Sequence, residues 1–373
     1  MKMAGLAAAL ALVLTGAACG DDAGDDGTQG DTQQGTDGEA DYGEVKIVLS
    51  GASLEDKIPQ GGAWRLGPEW GFSEQSEESV QAIESHATAS QIFLSGQADV
   101  MEATFIVAAQ LVQEGQDVRA FCPEEIDTLE HIMGVGISDI SQITDPGVIV
   151  GIDSPGGLIN YLMNHLFRAK GITNSDGEPL TTDDLENVQI LEDGGLRLAS
   201  LAQGEINVGS LDLFEQDQLQ RRAADLDVNV LSVTAQDIDN AVGSVFIART
   251  EWLQENPERA AAFCAMILDA TRTLALDVDT YLEWAEDISA LEFDEEVQRR
   301  VWEFSRENGV WPYDNSILNP DTVAADIEVL VDTGLLEESA LELSFEDLVD
   351  PGPAEQATEM VGGPASSVED LEA

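Results

Sequence analysis

Basic charge is scarce in this chain. Its 373 residues carry 16 Lys and Arg against 73 Asp and Glu, and only four of the cations are lysines, Lys2, Lys46, Lys57 and Lys170. A formal net charge of −57 repels phosphate backbones, so nucleic acid is excluded as a partner. Histidine and cysteine are limited to His86, His131, His165, Cys19, Cys122 and Cys264. They form no CxxC pair and no Cys/His cluster with metal-ligand spacing, so no metal or other cofactor is expected. GxSxG, HExxH, P-loop and GxGxxG patterns are missing too, and no catalytic motif stands out. No apolar run reaches the roughly 18 residues that a membrane crossing needs. The acids are spread along the whole chain, which we read as adaptation to salt, where screening makes such a surface tolerable.

What is present begins with a leader. Lys2 precedes an apolar run from Ala4 to Val13, followed by Leu14, Thr15, Gly16, Ala17, Ala18 and Cys19. A charged start, a short apolar core and small residues before a cut describe a secretory signal. The segment resembles a bacterial lipoprotein signal, with Gly16 where a large residue is usual. That resemblance implies loss of residues 1–18 and lipidation of Cys19. The mature protein would then sit on the outer face of the cell membrane, or be secreted if the leader is an ordinary one. Residues 19–43, made almost wholly of Asp, Gly, Thr, Gln and Glu, read as a disordered tether. Residues 346–373 read as a frayed acidic tail. The roughly 300 residues between are enough for two lobes.

Between these ends, short apolar strands alternate with amphipathic helices, an α/β pattern. Val45–Leu49 starts it. The clearest unit is Val148–Ile152, a turn through Asp153, Ser154, Pro155, Gly156 and Gly157, and a helix to Lys170 closed by Gly171. Strands near 187–191, 206–211 and 229–233 alternate with helices near 195–203 and 214–224. Leu94–Val100 and Ala202–Val208 share one grammar: a helix end, a Gly stop, then Asp or Asn before Val. This echo suggests two lobes of similar build. Placing the crossings at His131–Ile137 and Ser244–Arg249 gives a first lobe of 44–137 plus 243–345 and a second of 138–242. Cys122 and Cys264 could form a disulfide or remain separate buried thiols.

Leu94-Ser95-Gly96-Gln97-Ala98-Asp99-Val100, Val150–Gly157 and Val245–Ala265 occur in an order that resembles the ABC-importer binding proteins for nitrate, sulfonates, taurine and the thiamine pyrimidine precursor. The resemblance spans about 45–340. It implies a two-lobed, periplasmic-binding-protein-like fold, each lobe a mostly parallel sheet flanked by helices with a hinge between. It also implies a monomeric receptor that passes a small molecule to an ABC permease and its ATPase. The Ser50–Glu69 segment, with Trp64 and Trp70 nearby, departs from the pattern, so the cargo does not carry over.

Ligands of open α/β sheets bind beyond the carboxyl ends of the strands. That rule selects Ser50, Gly51 and Trp64 after the first strand, Ser85 and His86 after the second, and Glu102, Ala103 and Thr104 after the third. From the other half it selects Ser154, Gly156 and Gly157 at a helix N-terminus, with Ser210 and Asp212. Free N–H groups at the Ser154–Gly157 turn would favour an acceptor or anion. Trp64 could stack on a flat ligand. Glu102, Asp153 and Asp212 lie near the cleft, and Arg65 is the cation the turns offer, which tips the reading toward a neutral or cationic, heteroaromatic-type ligand. The alternatives are an enzyme of pyrimidine or cofactor-precursor metabolism on the same fold, and a cell-surface scaffold protein.

Overall fold

A computed structural model describes residues 41–50, 57–73, 80–83, 86–125, 130–154, 157–191, 193–234, 242–288 and 293–373. Residues 1–40, which hold Cys19 and most of the segment read as a tether, lie outside them.

Among the described residues ten strands build two sheets. β1 (Ile47–Ser50), β2 (Val80–Ile83), β3 (Val100–Thr104) and β4 (Val118–Glu125) belong to the first; β5 (His131–Val135), β6 (Val150–Ile152), β7 (Val188–Ile190), β8 (Val208–Leu211) and β9 (Val228–Val233) form the second; β10 (Ser244–Arg249) returns to the first. Strand orders are β2-β1-β3-β10-β4 and β7-β6-β8-β5-β9. In each sheet four of the five strands run in one direction, and the fourth in the order is antiparallel to both its neighbours. The two halves therefore share one plan, as the sequence echo suggested. Gly96 and Gly204 close their helices at φ of +77° and +69°. The next polar residue then does the same work twice: the Asp99 carboxylate accepts from Lys46 N, and the Asn207 side-chain Oδ1 accepts from Ile149 N.

The boundary between the halves differs from the sequence reading. His131–Val135 and Ser244–Arg249 are full strands inside sheets, so the crossings fall between Glu125 and His131 and between Val233 and Ser244. The ladders from β5 to β8 and β9 satisfy its backbone groups on both sides.

The helices are α1 (Ile58–Gly62), α2 (His86–Leu94), α3 (Phe105–Gln113), α4 (Leu158–Ala169), α5 (Gly194–Gln203), α6 (Leu213–Arg222), α7 (Thr250–Glu255), α8 (Pro257–Leu276), α9 (Val278–Ile288), α10 (Glu295–Asn308), α11 (Pro320–Asp332), α12 (Phe345–Leu348), α13 (Gly352–Met360) and α14 (Val368–Glu372). Both faces of the first sheet are covered. Ile47 and Leu49 of β1 enter one core with α8, while Val48 enters another with α2 and α3. A third cluster joins Met133 and Val135 of β5 to Leu198, Leu201 and Leu219 of α5 and α6. No described helix is long and apolar enough to cross a membrane.

Cys122 of β4 and Cys264 of α8 are joined as a disulfide, which resolves the alternative left open by the sequence. The C-terminal stretch is also a correction, because residues 346–373 are folded. Ala354, Ala357, Ala365 and Val368 are buried in the core of α8. Arg272 of α8 donates to the carbonyls of Tyr313, Val361 and Gly363 at 2.5–2.7 Å. Small alanines between acids carry little hydrophobic signal, yet they allow α13 to lie close against α8.

Candidate functional site

The carboxyl edge of the first sheet gathers Ser50, Thr104 and Glu125 with the start of β10, since Ser244 is in register with both Thr104 and Glu125. The corresponding edge of the second gathers Asp153, Asp212 and Thr234 beside His131, which faces Leu211 and Val233. Both crossings leave from these edges, so one polar surface of each half lies next to the connections.

At the first edge Lys57, just before α1, is buried among acids. Its Nζ lies 3.2 Å from both carboxylate oxygens of Glu124, 3.1 Å from Glu125 and 3.7 Å from Glu102. Glu102 also accepts the amide of Ser50 at 2.8 Å. Gln60 of α1 donates its amide to the Glu124 carbonyl at 3.3 Å, while its Oε1 is buried without a partner. Burial alone would lower the Lys57 pKa, but the carboxylates of Glu124, Glu125 and Glu102 outweigh it and hold the ammonium well above its ordinary value. Burial pushes Glu124 up, with Lys57 opposing.

At the second edge the turn before α4 is capped from within. Asp153 accepts the amides of Ile159 and Asn160, each at 3.3 Å. A Cβ on Gly157 would stand 2.2 Å from Asp153 Oδ2 and 2.6 Å from Ser154 Oγ, so a side chain here would push the carboxylate and the hydroxyl aside. The sequence reading offered these N–H groups to an anion; a resident carboxylate already takes two of them. Asp212 caps α6, accepting from Glu215 N at 2.7 Å. The buried Ser210 hydroxyl donates to Glu130, and its carbonyl accepts from Arg197 Nε at 3.3 Å. Arg197 also donates to the Leu191 carbonyl at 3.0 Å.

The other candidates divide. Ser50, Glu102, Thr104, Ser154, Gly157, Ser210 and Asp212 all lie at the two edges. Ala103 is on the opposite face of β3 from Glu102 and Thr104 and sits in the core, as period-two alternation requires. Trp64 is likewise a core residue, packed edge-on to Phe72 at 6.0 Å and against Phe263 at 6.2 Å, and so is not placed to stack on a ligand. A 3₁₀ turn over Ala63–Trp70 swings it inward. Arg65 pairs with Asp287 at 2.8 Å and lies over Trp284, so it is not a cleft cation. His86 opens α2, whereas Gly51, Ser85 and Gly156 lie outside the described residues. Lys57, Glu124, Glu125, Glu130 and Arg197 were missed. Lys57 had a signal, as one of three lysines beyond the leader and the only one just after the first strand's turn.

Strand order, twin crossings and polar carboxyl edges together define a two-lobed, periplasmic-binding-protein-like fold. Solved structures of that kind resemble this chain. The ligand-binding component of an ABC-type import system from Staphylococcus aureus, solved with zinc bound, matches with a TM-score of 0.64 at 13% identity, over 85% of this chain and 99% of that one. The periplasmic nitrate-binding protein of Synechocystis matches at 0.61 and 12%, over 87% and 91%. The periplasmic aliphatic sulphonate binding protein of Escherichia coli matches at 0.59 and 13%, over 83% and 92%. No family model and no curated protein matches the sequence. At these identities the likeness is one of fold.

Proposed function

We propose that this chain is an extracytoplasmic solute-binding receptor that delivers a small organic molecule to an ABC importer. The observation carrying this reading is the pair of polar carboxyl edges flanked by two chain crossings, in a fold shared with import-system binding proteins. Ligand would bridge Ser50, Glu102 and Thr104 on one side and Ser154, Gly157, Ser210 and Asp212 on the other. Closure about the crossings would select the state that the permease recognises. The chain would act as a monomer, anchored by a lipid on Cys19, and would release its cargo unchanged.

A thermal-shift screen of the chain lacking residues 1–40 tests the reading. A ligand that binds only the native state raises the melting temperature by linkage, and the compound is recovered intact. Turnover of that compound would overturn the receptor reading in favour of catalysis. For the anchor, Cys19→Ser should move the protein from the membrane fraction to the soluble one; unchanged membrane association would remove the lipid.

A further inference from the structure

The cluster around Lys57 is more than a satisfied ion pair. Three carboxylates, from Glu102, Glu124 and Glu125, face a single ammonium. The group keeps an excess of negative charge even when Glu124 holds a proton. The three hydrogens of Lys57 are committed to both oxygens of Glu124 and to Glu125. Glu102 Oε1 is left at 3.7 Å from Nζ, an ion-pair distance too long for a hydrogen bond. An independent observation concerns Gln60. Its side chain is buried, its Nε2 is held on the Glu124 carbonyl, and its Oε1 has no hydrogen-bond partner. A buried amide oxygen left without a donor is costly, and its simplest use is to receive one from outside the protein. Glu102 Oε1 and Gln60 Oε1 are both acceptors, so the missing group is a donor. The second edge contributes further carboxylates in Asp153 and Asp212, and the helix start where an anion could have docked is occupied by Asp153.

Building on the receptor reading above, we infer that the cargo is an organic cation bearing a protonated nitrogen, whose N–H groups are received by Glu102 and Gln60 at the floor of the first sheet's carboxyl edge. The surrounding negative charge favours the charge of that nitrogen, and the two acceptor oxygens require its hydrogens. This predicts cargo opposite in sign to the nitrate and sulphonate of the named neighbours' ligands.

The test is calorimetric titration of the chain lacking residues 1–40 with putrescine, agmatine and 2-phenylethylamine, alongside ethanesulfonate, nitrate, 1,4-butanediol and tetramethylammonium. At least one amine should bind saturably. The anions and the diol should not bind, and nor should tetramethylammonium, which has the charge without an N–H. Glu102→Gln and Gln60→Met, each checked for an unchanged circular dichroism spectrum, should weaken the amine at least tenfold. Saturable binding of ethanesulfonate, nitrate or butanediol with no amine bound would overturn the cation inference and leave the receptor reading standing. Failure of every compound to bind would overturn both. Amine binding that neither substitution weakens would overturn the assignment to this cluster.

Discussion

The Tyr161 hydroxyl of α4 donates to the Asp326 carboxylate of α11 at 2.7 Å, and this buried bond ties the second half of the chain to its C-terminal helices. The other oxygen of Asp326 accepts the amide of Val242, on the returning crossing, at 3.2 Å. One carboxylate thus holds a helix of the second lobe, a helix near the C-terminus and the connection between the sheets.

Burial raises the Asp326 pKa from 3.8 to about 6, with Tyr161 and Val242 partly offsetting the shift. A carboxyl raised in the fold binds its proton more tightly there than in the unfolded chain. Its contribution is complete below the unfolded value and is lost as pH rises through about 6. Relative to Asp326→Asn, the natural protein should therefore gain ~2 kcal/mol of unfolding free energy between pH 6 and pH 4. Urea denaturation at several pH values reads this difference directly; parallel pH profiles would sink the assignment. His165, packed edge-on against Tyr161 at 4.2 Å between ring centroids, works the other way. Burial, with Arg168, lowers its pKa from 6.5 to about 4, so its contribution is complete above 6.5 and lost as pH falls through about 4.

Lys57→Met should be severely destabilising, by about 3–5 kcal/mol, because it strands three carboxylates that share its ammonium. Adding Glu124→Gln should recover part of that loss. Chemical denaturation of the single and double variants checks it, and additive effects would argue against direct coupling.

Gly157→Ala should cost about 1–2 kcal/mol by driving the Asp153 carboxylate off the amides of Ile159 and Asn160. In an Asp153→Ala background the same change should cost much less. If the glycine substitution is equally costly in both backgrounds, the carboxylate is not the reason for the glycine.

Replacing Cys122 and Cys264 together by alanine opens a cross-link that spans 142 positions of sequence, and should remove about 2–5 kcal/mol. Reducing agent should lower the melting temperature of the natural protein toward that of the double variant and leave the variant unchanged.

Ending the chain at Asp350 should destabilise the first half, since Arg272 loses the Val361 and Gly363 carbonyls and the α8 surface under Ala354 and Ala357 is uncovered. Limited proteolysis would show new cuts near α8. An equally resistant truncated protein would mean these helices are dispensable.

Much of the fold was legible because its signals are local. Val148–Ile152, the glycine stops at Gly96, Gly171 and Gly204, and Pro257 at the start of α8 each act within a few residues. The repeated Asp99 and Asn207 could be seen as an echo, although their shared bond to the opening strand of each half needed coordinates. The site was legible only as a set of edges. The carboxyl-end rule selected Ser50, Glu102, Ser154, Ser210 and Asp212, which lie at those edges, and it also drew in Ala103 and Trp64, which the strand alternation and a 3₁₀ turn direct into the core.

By itself, the sequence determined charge sign, the alternation of strand and helix, and the punctuation between them, because each depends on composition or on contacts within one turn of chain. Tertiary structure alone decided that Lys57 meets acids 45, 67 and 68 positions away, that Asp153 fills its own helix start, and that Cys122 finds Cys264. Those pairings depend on which strand edges the fold brings side by side, and long-range contacts of that kind leave no periodicity in the chain.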